Sequence, residues 1–153
     1  MSYRRANGFT LLEMLITATV LLILASAVVP MAKNSLKRQK ELELRRSLRE
    51  MRLAIDQYKN LVDQQKVKAP AQENYGYPES LQILVDGVPL MGKTSKMRLL
   101  RRIPVDPFTG QAQWGQRSVT DDSTSTSWGG NGVYDIYSTT SGTGMNGIAY
   151  REW

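Results

Sequence analysis

Residues 9–32 form an apolar run broken by a single charge, Glu13. About 20 apolar residues suffice to cross a bilayer as a helix, so the run is long enough to span. A carboxylate five residues into such a helix costs about 2.5–3.5 kcal/mol on insertion scales, which means that Glu13 needs a partner. Arg4, Arg5 and Gly8 precede the run. Two plainer readings compete. One is an ordinary secretory signal peptide, with Arg4 and Arg5 as its basic end and Ala25-Ser26-Ala27 as a small-residue cleavage site. The other is a simple membrane anchor whose Glu13 snorkels to the interface.

Composition narrows the chemistry. The chain has 153 residues, with no cysteine and no histidine. A disulfide framework and a Cys-based metal or redox site are therefore excluded. The commonest general base and metal ligand is missing as well, which argues against an enzyme. The net charge of +6 is unevenly placed. Residues 1–32 carry +1, residues 33–66 carry ten Lys or Arg against five Asp or Glu, and residues 67–153 are neutral. A basic stretch suits nucleic acid. Here acids are interleaved with the cations, so a solvated or subunit-facing helix is the better reading and no nucleic acid is expected.

Residues 33–67 read as an amphipathic stalk helix. Leu44, Leu48, Met51, Ile55, Tyr58 and Val62 recur at spacings of four and three, which makes one helical stripe. The stripe predicts packing of the stalk on a head domain of the same chain. Glu41 precedes Arg45 by four, the favourable order for a helix pair. Pro30 falls inside the apolar run, where it predicts a kink or local melting. Pro70, Gly76 and Pro78 close the helical region.

Residues 77–85 read as a short helix opened by Pro78 and closed near Gly87. Residues 97–102 suggest one more turn. Three strands are expected at residues 112–119, 132–137 and 147–153, with a Ser-, Thr- and Gly-rich loop at 121–131. The fold class is α+β, with a long N-terminal helix packed on a small antiparallel head spanning residues 68–153.

The constellation Gly8-Phe9-Thr10-Leu11-Leu12-Glu13 followed by an apolar helix resembles the class III signal of type IV pilins and type II secretion pseudopilins. The resemblance implies a leader at residues 1–8 and a membrane and assembly segment at residues 9–32. A prepilin peptidase would cut between Gly8 and Phe9 and methylate the new amino terminus of Phe9. Glu13 would then pair with that amine on a neighbouring subunit. Pro30 matches a helix-breaking proline of many type IV pilins, and the segment before it would unwind in the filament.

Ile103-Pro104-Val105-Asp106-Pro107, Gly132-Val133-Tyr134-Asp135-Ile136-Tyr137-Ser138 and Glu152-Trp153 resemble the major, G-type pseudopilin. The resemblance implies a structural subunit in the bacterial inner membrane, with its head in the periplasm. Its partners would be further copies in a helical filament, other pseudopilins, prepilin peptidase and the inner-membrane assembly platform. A surface type IV pilin and a membrane-anchored binding module that never polymerises remain as alternatives. The orientation runs against a plain charge count, because Lys33, Lys37, Arg38 and Lys40 outnumber Arg4 and Arg5.

G-type pseudopilins usually hold calcium in the loop after the Tyr-Asp strand. Here that loop, residues 138–147, contains no carboxylate. Calcium wants six to eight oxygens, several of them anionic. Asp121, Asp122 and Asp135 are the nearest weak candidates.

Overall fold

The computed structural model describes residues 8–153, with the backbone alone described at residues 27–29. The leader, with Arg4 and Arg5, lies outside the described residues apart from Gly8. The architecture is α+β. Helix α1 spans Leu11–Asp63 and α2 spans Leu81–Asp86. The strands are β1 (Val88–Pro89), β2 (Lys96–Met97), β3 (Gly115–Arg117) and β4 (Asp135–Tyr137). Contacts divide the chain into two units, Met1–Gln39 and Lys40–Trp153.

Helix α1 forms because residues 33–63 contain no glycine or proline and are rich in Leu, Glu, Lys and Arg, which are good helix formers. It runs without interruption through Pro30. In the single subunit the helix is not melted at Pro30, because proline removes a single backbone bond from a helix that is otherwise complete. The helix stops at Asp63, short of the expected residue 67. Gln65 turns left-handed at φ 55°, and the Lys66 N–H closes on the Leu61 carbonyl at 2.9 Å while Gln65 N–H closes on Val62 at 2.9 Å. This is a Schellman closure made without glycine.

In the second unit, the stripe on α1 is the spine of the core. Leu44, Leu48, Met51, Ile55 and Tyr58 are buried, and Val62 packs at the edge. They meet Leu81 and Leu84 of α2, Val88, Leu100, Trp114, Val133, Ile136 and Tyr150. Burying a large apolar side chain is worth about 1.5–3 kcal/mol, so this stripe supplies much of the driving force for the head.

The sheet is less regular than the sequence suggests. It consists of two separate antiparallel ribbons, β1 with β2 and β3 with β4. Gly115 pairs with Tyr137, Gln116 with Ile136 and Arg117 with Asp135. The Tyr137 ring lies across Gly115 so closely that a Cβ there would fall 2.1 Å from it. Residues 147–153 are not a strand. They form a 3-10 turn over Tyr150–Glu152, with one bridge between Thr143 and Ala149. Tyr150 is buried and Trp153 half-buried, at a spacing of three, which suits a turn and not the alternation of a strand.

The short helix also starts later than expected. Ser80 caps α2, while Pro78 precedes it, fully buried, and accepts the Val133 N–H at 2.7 Å. Gly87 ends α2 at φ 94°. Met97, expected in a turn, is in β2, and the Leu99 and Leu100 N–H groups both reach the Leu84 carbonyl.

Candidate assembly and processing site

Gly8 and Phe9 lie just before α1, and Glu13 is in its first turn. Thr10 caps the helix. Its carbonyl accepts the Met14 N–H at 3.1 Å, and its hydroxyl accepts the Glu13 N–H at 3.2 Å. The spacing Thr10-x-x-Glu13 is that of a capping box. The sequence carried this signal beside the more conspicuous charge. A carboxylate in the first turn also sits at the favourable, positive end of the helix dipole.

The surface of this segment is apolar on all sides. Phe9 is 75% exposed, Leu11 83% and Leu22 71%. Its few polar side chains are turned back onto the helix. Thr17 donates to the Met14 carbonyl at 3.0 Å, Thr19 to Leu15 at 2.8 Å and Ser26 to Ile23 at 2.7 Å. These bonds hide the hydroxyls from an apolar surrounding. Glu13 alone keeps a charge on this surface, and among the described residues it has no ion-pair partner. By length and composition α1 contains a segment able to cross a membrane. So large an exposed apolar face belongs against lipid or protein.

In the head, each of the three weak metal candidates is engaged by the protein. Asp135 receives Arg52 Nε at 2.7 Å and lies 3.6 Å from the Arg117 guanidinium. Arg52 also donates to the carbonyls of Ile136 and Trp153, which ties α1 to β4 and to the final turn. Asp121 accepts backbone N–H groups from Ser118 at 2.7 Å and Gly129 at 3.1 Å, and these bonds hold its carboxyl below the usual range. Asp122 accepts the Thr124 N–H and hydroxyl, with the same effect.

The loop at residues 138–147 is closed by its own hydrogen bonds and by one residue from α1. Gly144 N–H bonds the Ile148 carbonyl at 2.8 Å, and Ile148 N–H bonds Asn146 Oδ1 at 3.1 Å. Glu41, only 6% exposed, accepts the Met145 N–H and the Tyr150 hydroxyl on the same oxygen, each at 2.9 Å. The expected Glu41–Arg45 pair is replaced by this arrangement, and Arg45 instead lies 4.3 Å over the Trp153 ring. Among the described residues, no group of three or more His, Cys, Asp or Glu is gathered where it would hold a metal.

Residues 3–29 match the family model described as the prokaryotic N-terminal methylation motif. The matched span includes Gly8, Phe9 and Glu13. No curated protein and no solved structure gives a significant match to the chain.

Proposed function

We propose that the chain is a structural subunit of the periplasmic pseudopilus of a type II secretion system, assembled from an inner-membrane precursor. The observation that carries this reading is the exposed apolar segment, with Gly8 and Phe9 before it and, in its first turn, a Glu13 carboxylate that has no ion-pair partner among the described residues. Cutting between Gly8 and Phe9 frees an amine close to Glu13. Within one subunit the carboxylate and amine share a helix end. Between stacked subunits they neutralise each other in a medium where either alone costs several kcal/mol.

The choice of a G-type pseudopilin over a surface pilin rests on the C-terminal phrases. Two of these phrases meet in the head, where the Ser138 hydroxyl donates to Asp106 Oδ2 at 2.5 Å. Asp106 is fully buried and also accepts the Phe108 N–H at 2.8 Å. These two phrases are thus joined as one structural unit.

Processing is tested on native protein by mass spectrometry. The expected mature chain begins at N-methyl-Phe9 and, having lost Arg4 and Arg5, carries +4 where the precursor carries +6. Gly8→Leu should accumulate uncut precursor. Glu13→Val should still be inserted and cut, yet assemble poorly. An amino terminus at Val28 would make the segment an ordinary signal peptide. In a deletion strain, loss of secreted enzymes with surface fibres intact is the result expected of a secretion pseudopilus.

A further inference from the structure

The apolar run ends in cations that assembly chemistry does not use. Between Glu13 and Glu41 every charged side chain is positive: Lys33, Lys37, Arg38 and Lys40. The first three belong to the same unit as the apolar segment, on the same helix. Lys33 and Arg38 are exposed and Lys37 is half-buried.

The depth of these residues follows from helix geometry. At about 1.5 Å per residue, residues 9–32 cover about 36 Å. The hydrocarbon core is about 30 Å thick, with headgroup layers of roughly 5–8 Å on each side. Arg38 lies about 9 Å beyond Ala32 along the helix. With Ala32 at the edge of the core, Lys33 and Lys37 lie about 1.5 and 7.5 Å out, within the headgroup layer, and the Arg38 backbone lies just beyond it. Their long stems allow the charged ends to reach phosphate level. At about 100° per residue, positions 33, 37 and 38 spread over more than a third of the helix circumference.

These cations also oppose the proposed orientation, since positive charge normally stays on the cytoplasmic side. A compensating interaction on the far side offsets that bias. We infer that Lys33, Lys37 and Arg38 form a binding collar for anionic phospholipid headgroups at the C-terminal end of the span. A second copy is the poorer partner, because residues 14–40 contain no carboxylate to present to a neighbouring helix. The inference rests on the reading that residues 9–32 lie in a membrane.

The test uses the full mature chain in phosphatidylcholine bilayers with and without phosphatidylglycerol. Spin-labelled lipids report which headgroup is held at the protein surface. A preference of about fivefold for phosphatidylglycerol is expected, the factor one cation supplies at an anionic surface. It should fall towards one in the Lys33→Gln, Lys37→Gln, Arg38→Gln triple variant and in high salt. A control with Lys66→Gln and Lys68→Gln should keep it. Wild-type protein that inserts without any preference overturns the collar and leaves the membrane reading standing. A preference that survives in the triple variant also overturns it. If the triple variant keeps its lipid preference but loses self-association, the cations face a second copy. Failure to insert at all defeats the membrane reading, and the collar with it.

Discussion

Glu41 is the side chain whose role in this molecule is least visible beforehand. In the sequence it reads as one of several acids moderating a basic helix. Yet it lies three residues before Leu44 and seven before Leu48, on the buried stripe. The sequence reading began the stripe at Leu44 and paired Glu41 with Arg45, and only the fold brings Met145 and Tyr150 to it. Glu41→Ala would orphan two donors at about 1–3 kcal/mol each, whereas Glu41→Gln keeps an acceptor oxygen and should cost less. Denaturant unfolding measures the difference, and faster amide exchange at Met145 locates it. Tyr150 adds a pH signature. Burial, with the Glu41 carboxylate beside it, pushes its hydroxyl up to about 12. The unfolded chain loses that proton near 10, so between about pH 10 and 12 the folded state binds more protons and stability falls as pH rises. The melting midpoint should drop across that window, and Tyr150→Phe should flatten the drop.

Among the elements, α1 was readable and the strands were not. A stripe repeated from Leu44 to Tyr58 accumulates a periodic signal over many turns, and those residues are the core. Strands of two or three residues are too short to show alternation, which is why residues 147–153 looked extended and are a turn. The boundary at Asp63 was missed for another reason, since a left-handed Gln65 carries no compositional mark. The stripe makes a direct contrast between two leucines of one helix. Leu48 is buried and Leu53 is 55% exposed. Leu48→Ala should cost about 2–5 kcal/mol. Leu53→Ala should stay within about 0.5 kcal/mol. Urea titration of both variants checks this, and equal costs would mean that the outer face of the helix is also packed.

For the molecule as a whole, the N-terminal methylation motif was plain in the sequence because it is local, falling within residues 3–29. The way the head holds its last loop was not, because Arg52 with Asp135 and Glu41 with Tyr150 join residues far apart in the chain. Those ties lead us to expect folding that is indifferent to calcium. The full chain melted in calcium and then in chelator should give the same midpoint. A bound ion at a hundredfold excess over its Kd would add about 2.7 kcal/mol. In a chain of this size that is a shift of several degrees. Such a shift would direct attention to Asp121, Asp122 and Asp135.

Pro30 gives α1 a mechanical character. Lacking an N–H, it leaves the Ser26 carbonyl without the bond that every ordinary turn possesses. A pull along the helix meets its weakest turn there, well before the stripe that begins at Leu44. Residues drawn out of a helix lengthen from about 1.5 Å to as much as about 3.3–3.6 Å each. In the filament proposed above, such subunits would yield length at Pro30 under load while every head stays folded.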